Sequence, residues 1–259
     1  MNSVNVVWFK RDLRIEDHPA LSDASRDGTV LPIYIFEPEL WRQPDISERH
    51  FRFLKTSLLD LNESLSALGQ PLYLMVGDAL DCLNQLKTQF HIKALYSHQE
   101  TWNGWTYERD KAVLNWCTSL GIDWHEPPQN GIIRRLKDRD GWSRHWYKFM
   151  SLPLRSAPAS LPFVADSEVS VLSLTFCSET TPLPAKREQP GGRTAALHVL
   201  HSFLHERGEH YTKAMSSPVT APDACSRLSP YLAFGCLSLR EAFQMAQNRS
   251  QDLTLNKTR

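Results

Sequence analysis

Several hallmarks of common enzyme classes are missing from this sequence. Only 11 of its 259 residues are glycine. None falls in Lys10-Arg11-Asp12-Leu13-Arg14, the stretch after the first strand-like run. A dinucleotide fold places G-x-G-x-x-G there so that backbone can approach a pyrophosphate, so the absence counts against an NAD-dependent enzyme. There is also no P-loop, no G-x-S-x-G, no H-E-x-x-H and no kinase motif set. The five cysteines (Cys82, Cys117, Cys177, Cys225, Cys236) are odd in number, scattered and free of any C-x-x-C pair. That excludes a disulfide-framed secreted scaffold and favours reduced thiols in the cytoplasm. No long hydrophobic run opens the chain. Val4 to Phe9 is broken by Asn5 and followed at once by Lys10, too short for a signal peptide or a membrane span. Net charge is missing as well. The 29 Lys plus Arg balance the 29 Asp plus Glu, which excludes a nucleic-acid binder held by bulk charge alone and leaves a local basic face open. The expectation is a cytoplasmic protein with no membrane partner.

What is present is an alternation of strand-like and helix-like segments over the first 126 residues. Val4–Phe9, Val30–Phe36, Leu72–Val76, Ile92–Ser97 and Ile122–Glu126 are short runs rich in aliphatic and aromatic residues. Between the second and third, Phe51, Leu54, Leu58, Leu61, Leu65 and Leu68 recur at spacings of three and four. They mark one buried stripe of a helix opened by Ser47 and closed by Gly69. Asp78 caps a second helix with the stripe Leu80, Leu83, Leu86, Phe90, and a third runs from Gly104 to Leu120, ended by Gly121. Strands separated by helices pair in parallel through right-handed crossovers, so the fold class is α/β with a doubly wound, five-stranded parallel sheet. Residues 151–190 hold six of the sixteen prolines and read as an extended linker. Helical periodicity resumes at Arg193 with Ala196, Leu197, Leu200, Phe203 and Leu204, and Gly208 ends it. The predicted organisation is an α/β domain over 1–130, a connection over 131–192 that is proline-rich from 151, and the start of an all-α domain over 193–259. The last region is too small for a core of its own.

Four stretches carry candidate chemistry. Lys10, Arg11, Asp12, Arg14, Glu16 and Asp17 sit at the carboxyl end of the first strand, where open α/β sheets place ligands, although a solvated loop with local ion pairs is the favoured reading. Glu100, Trp102, Asn103 and Trp105 follow the fourth strand. They either hold a flat heteroaromatic ring by stacking and hydrogen bonding or pack on the next helix. Seven basic residues between Arg134 and Arg155 surround Trp142, Trp146 and Phe149 at spacings of four and three. This pattern is read as a packing face turned to the second domain rather than a nucleic-acid face. His198, His201 and His205 share a helix face without the further ligands of a zinc site. In Cys225-Ser226-Arg227-Leu228-Ser229-Pro230, Ser229 is placed at an N-cap and Pro230 at the first helical position. Ser226, Arg227 and Ser229 then either meet a phosphate or form a plain serine-capped turn. Gly235 ends this short helix, and Ser238 with Glu241 is read as a capping box for the next.

Two of these segments resemble a known family. Val7-Trp8-Phe9-Lys10-Arg11-Asp12-Leu13-Arg14, with Asp17-His18-Pro19-Ala20-Leu21, resembles the opening signature of DNA photolyases and cryptochromes. Ser226-Arg227-Leu228-Ser229-Pro230-Tyr231-Leu232, then Gly235 and Ser238, is similar to their flavin-phosphate loop, and Tyr211 matches a tyrosine set against the flavin dinucleotide. The resemblance implies FAD bound by Tyr211, Cys225, Ser226, Arg227, Leu228 and Ser229. It also implies an antenna chromophore (pterin, deazaflavin or flavin) near Glu100, Trp102 and Asn103, and damaged DNA as partner of a monomer. The implied activity is light-driven splitting of pyrimidine dimers, with catalysis carried by the flavin and no catalytic side chain named. The alternatives are a cryptochrome-like blue-light receptor and an antenna-like binding module without activity. The resemblance further implies that the remaining flavin pocket, the dimer-facing residues and the flavin-reducing tryptophans lie past Arg259, since all eight tryptophans here fall between Trp8 and Trp146. Met215 stands where the family often has a DNA-contacting arginine, and Cys225 where threonine is common.

Overall fold

The structure is a computed structural model that describes residues 2–176 and 188–257. Cys177, Pro182 and Pro184 of the expected linker lie outside the described residues. Five parallel strands, β1 (Ser3–Phe9), β2 (Val30–Phe36), β3 (Tyr73–Val76), β4 (His91–Tyr96) and β5 (Asp123–His125), form one sheet in the order β3-β2-β1-β4-β5. Alternate residues of β1 serve opposite faces. Val7 and Phe9 pack under α1 (Pro19–Asp27) and α3 (Glu48–Ala67), with the short α2 (Pro38–Trp41) alongside. Val6 and Trp8 pack under α4 (Ala79–Gln89) and α5 (Gly104–Leu120). Burial on both faces explains why β2 is apolar throughout rather than alternating. The chain order reverses on either side of β1, so its carboxyl end opens at the switch point of the sheet.

The helix limits follow the local signals. Ser47 and His50 form a capping box at the start of α3. Asp78 accepts from the Leu80 N–H at 2.8 Å, and Asn103 caps α5 through the Thr106 N–H at 3.0 Å. Gly121, with φ +67°, closes α5 at the residue expected.

The remainder of the chain wraps onto the first face. α6 (Trp142–Met150) sets Trp146 and Phe149 against the later chain, as the packing reading anticipates, whereas Trp142 is 40 % exposed. The Trp146 ring meets Phe243 at 5.2 Å and the Arg240 guanidinium lies 5.1 Å from Phe149. Residues 151–170 run extended along the domain, pinned by the Leu161 N–H to the Leu68 carbonyl at 2.6 Å. A single 3-10 turn follows at Val171–Ser173. α7 (Arg193–His205) contributes Ala196 and Leu200, and α10 (Ser229–Ala233) contributes Tyr231, to the core that contains α3. The second region therefore borrows a core instead of building one. α8 (Tyr211–Ala214) and α9 (Ala221–Ala224) are single turns between them, and α11 (Leu239–Lys257) is the last helix.

Three local expectations are corrected. α7 stops at His205 rather than at Gly208, because the chain tightens into a 3-10 turn over Arg207–His210. Leu228, not Ser229, occupies the cap of α10. Arg227 takes a left-handed conformation (φ +55°) and turns the chain one residue early. Ser238 and Glu241 do not close a reciprocal box. The Ser238 hydroxyl donates to Asp17, and the Glu241 carboxylate forms a fork with Arg193, both bonds at 2.8 Å.

Candidate functional site

The charged cluster after β1 is buried rather than solvated. Lys10, Asp12, Arg14 and Asp17 are all covered; Lys10, Asp12 and Asp17 are ion-paired, and Arg14 donates to Gln129 and to the Gly235 and Asp17 carbonyls. Lys10 Nζ donates to Asp110 at 3.2 Å. Arg109 donates to Glu37 at 2.7 Å, Glu100 at 2.5 Å and Asp110 at 2.8 Å. Burial pushes the Asp110 carboxyl up, but Lys10 and Arg109 outweigh it and hold it below the usual range. Asp12 accepts from His18 Nε2 at 3.0 Å and His98 Nδ1 at 2.7 Å. His18 Nδ1 accepts from the Leu21 N–H, which fixes its proton on Nε2. Burial raises the Asp12 carboxyl, but the two histidines hold it well below its ordinary value. Burial, aided by His18, drives His98 down to about 3, so it stays neutral. The solvated-loop reading fails because a parallel sheet presents this loop to helices on both faces and the later chain covers it. Asp17 receives Ser238 and Arg240 from the α11 end, and Leu13 N–H donates to the Phe234 carbonyl at 3.1 Å. Gly235 (φ +67°) permits this contact, since a Cβ there would lie 2.2 Å from the Arg11 carbonyl oxygen.

Above this network lies a cavity of about 850 Å³ between α3, the loop after β4 and α10. Trp41, Phe53, Trp102 and Phe234 supply flat apolar walls. Arg11, Arg49, Arg52 and Arg227 line it together with His50, Asp45 and Glu188, and Glu188 accepts from Arg52 Nε at 3.1 Å with Arg49 at 4.0 Å. Burial, then Arg11 and Arg49, lowers the His50 pKa, so its ring is neutral. The Arg11 guanidinium stacks 3.8 Å from the centroid of the Trp102 ring, and its Nε donates to the Ala233 carbonyl at 2.7 Å. A volume in this range with aromatic walls and a few polar groups suits a planar organic ligand.

The expected site residues separate into three groups. Trp102, Arg227 and Ser229, drawn from opposite ends of the chain, are walls of this one cavity. Glu100 and Asn103 act behind the wall. Glu100 is held by Arg109, with Lys10 at 4.0 Å, and Asn103 ties Asp45 to the start of α5 at 3.2 Å. Tyr211, Cys225, Ser226 and Leu228 stand elsewhere. Tyr211 is 37 % exposed on α8 with its ring on Phe203. Leu228 joins the core. The carbonyls of Cys225 and Ser226 accept from Arg207 at 2.6 and 3.4 Å, and that of Arg227 from Gln189 at 2.9 Å. Trp41, His50, Phe53 and Gln189 were not singled out from sequence. A signal existed for α3, whose polar positions Arg49, Arg52 and Thr56 recur at spacings of three and four opposite the leucine stripe. Among the described residues, one carboxylate–histidine group has metal-like spacing, Asp12, His18 and His98; Asp12 accepts from both rings, while His98 Nε2 has no partner among the described residues. His198, His201 and His205 are exposed, the last two stacked at 4.4 Å. No described helix is long and apolar enough to cross a membrane.

The sequence profile of DNA photolyases matches residues 5–137, which contain the sheet and the buried network. The chain belongs to the DNA photolyase family. It is similar to cryptochrome-2 of Arabidopsis thaliana, with 28% identity over 95% of this chain and 43% of that protein. It is also similar to a (6-4) DNA photolyase of Oryza sativa subsp. japonica, with 26% identity over 94% of this chain and 50% of that protein. The chain thus spans about half the length of these relatives. Its fold matches a Synechocystis cryptochrome with a TM-score of 0.80 at 23% identity, covering 97% of this chain and 56% of that one. It matches a class III photolyase of Agrobacterium tumefaciens with a TM-score of 0.78 at 23% identity, covering 97% and 54%. An archaeal photolyase from Sulfolobus tokodaii, solved with two FAD molecules, matches with a TM-score of 0.71 at 24% identity, covering 98% and 56%.

Proposed function

We propose that this chain is the antenna-binding and flavin-phosphate part of a light-driven DNA-repair flavoprotein of the photolyase type, acting on pyrimidine dimers. The observation that carries the reading is the cavity walled jointly by Trp102 and the Arg227–Ser229 loop. Bound FAD would supply, when reduced and photoexcited, the electron that splits a dimer. The chain's own residues bind and orient. Ser226, Arg227 and Ser229 would meet the pyrophosphate, with Arg207 bracing the loop through its carbonyls. Tyr211 would wall the dinucleotide from α8.

The aromatic-walled cavity would take the antenna chromophore. Its fit rests on Arg11 Nη1 and Trp41 Nε1, two buried donors without partners among the described residues. Trp41 and the Arg11–Trp102 stack would clasp a flat ring, with the Arg11 guanidinium as the cation beside it. Asn103 and Glu100 would hold these walls in place rather than touch the ring.

Blue-light illumination of the longest available form of the protein, supplied with FAD, a reductant and DNA carrying a single cyclobutane dimer, tests the assignment. Light- and FAD-dependent loss of the dimer is the expected result. Bound, reducible FAD without repair would favour the cryptochrome-like receptor instead, a reading supported by Met215, which is 47 % exposed where the family often has arginine. A chromophore bound in the cavity with no FAD uptake would favour the antenna-like module.

A further inference from the structure

The segment after β5 presents both charge and apolar surface to solvent. Residues 132–155 hold seven of the 29 basic residues and two of the 29 acidic ones, so on a chain of zero net charge the remainder is acidic. Arg134 is tied to Glu126 at 3.3 Å. Arg135, Lys137, Arg139, Arg144, Lys148 and Arg155 are exposed, and none has an ion-pair partner among the described residues. Asp138 turns back to the Asp140 N–H at 2.9 Å. α6 itself contains no carboxylate, and Arg144 and Lys148 stand one turn apart on it, a repulsion that destabilises a helix in isolation. Large apolar side chains are concentrated in the same place. Of the 17 that are exposed among the described residues, Ile132, Leu136, Trp142, Tyr147, Leu152 and Leu154 all fall here. The segment is one lobe. The Gly131 backbone lies against the Trp146 and Phe149 rings, the Trp142 N–H donates to the Arg139 carbonyl at 3.1 Å, and Gln244 of α11 holds the Met150 and Leu152 carbonyls at 2.8 and 2.9 Å. None of its residues lines the large cavity.

We propose that this lobe is a docking surface for an anionic lipid bilayer, its cations meeting the headgroups and its apolar side chains entering the interface between them. No described helix is long and apolar enough to cross a bilayer, so the contact lies on the surface. Exposed apolar side chains gathered in one place mark an interaction surface, and cations without carboxylates beside them select an anionic partner. A phosphate backbone would use the cations and leave Ile132, Leu136, Leu152 and Leu154 in water. A bilayer uses both sets. Its surface potential holds the cations, while Trp, Tyr and Leu side chains enter the boundary between headgroups and acyl chains. The acidic remainder of the chain is repelled by the same potential, which presents the lobe first. This contact needs neither a flavin nor an antenna chromophore.

Co-sedimentation of the longest available form of the protein with two kinds of vesicle, phosphatidylcholine alone and phosphatidylcholine mixed with phosphatidylserine, tests the surface. The mixed vesicles should bind roughly tenfold or more tightly than the neutral ones, and added salt should weaken that binding. Arg144→Glu combined with Lys148→Glu should remove the preference for the mixed vesicles. Leu136→Asn combined with Leu152→Asn should weaken binding roughly tenfold and leave its salt dependence unchanged. All four side chains are exposed, so each double variant should keep the natural far-UV circular dichroism. No binding to the mixed vesicles, equal binding to both kinds, or a preference that survives the charge reversal overturns the proposal. So does natural affinity in the leucine variant, which would reduce the contact to counter-ion attraction. Displacement from the vesicles by an undamaged single-stranded oligonucleotide at equal phosphate concentration overturns it too and assigns the face to nucleic acid.

Discussion

Replacing Glu37 by glutamine should flatten one segment of the pH–stability curve. Burial is the largest influence on this carboxyl. Arg109 opposes it and Glu100 and Asp78 reinforce it, and the result is a pKa of about 7 in place of the ordinary 4.5. The folded protein therefore keeps the proton up to about pH 7, whereas the unfolded chain releases it near pH 4.5. Between those values the folded state binds more protons, so stability falls as pH rises. At about 1.36 kcal/mol per unit, the gap of 2.5 units amounts to about 3 kcal/mol lost across that window. Glutamine cannot titrate. Urea unfolding of both proteins at intervals from pH 4.5 to 8, expressed as the difference between the two curves, isolates Glu37, because Asp12, Asp17, Asp110 and His98 titrate in both. The expected difference shifts toward the glutamine protein by about 3 kcal/mol over the window and is level above it. Curves parallel within about 1 kcal/mol, or a difference sloping the other way, would refute the assignment of Glu37 as a buried acid protonated near neutrality.

Three further outcomes follow from the contacts between the early and late chain. Gly235→Ala combines a left-handed backbone with a Cβ 2.2 Å from the Arg11 carbonyl oxygen, so it should cost ~3 kcal/mol or more. Faster hydrogen exchange at the Leu13 N–H would show that the α10–α11 turn has lifted, and unchanged exchange there would count against the close approach. Asp17→Asn leaves the buried Arg240 guanidinium without its counter-charge, and denaturant unfolding should register about 3–5 kcal/mol of lost stability. A loss below 1 kcal/mol would mean that Arg240 reaches water. Imidazole NMR should find His98 neutral at pH 5, because burial and His18 hold it down to about 3. An imidazolium signal there would contradict the Asp12-centred arrangement.

The fold was legible because its signals are local and mutually consistent. The leucine stripe of α3, the caps at Asp78 and Asn103 and the left-handed Gly121 each act within a few residues, and α5 begins and ends where those residues place it. The cavity was only half legible. Trp102 and the Arg227–Ser229 loop stood out by residue type, but they are joined only by tertiary packing, and nothing local in either segment announces the other. Glu37 and Trp41 bracket the four-residue α2 and carry no periodicity by which to be noticed.

The misreading of the charged run after β1 is the instructive one. Taken alone, Lys10 to Asp17 has the composition of a solvated loop. Taken with β1 at the centre of the sheet, it cannot be one. A central strand of a doubly wound sheet ends beneath the loops of its neighbours, so charges placed there must find partners from other strands' ends. β4 supplies His98 and Glu100, α5 supplies Arg109 and Asp110, and α11 supplies Arg240. Both signs occur together in the run, and a buried network needs both, whereas a solvated loop does not. The central place of β1 in the order β3-β2-β1-β4-β5 therefore favours the buried network over the solvated loop.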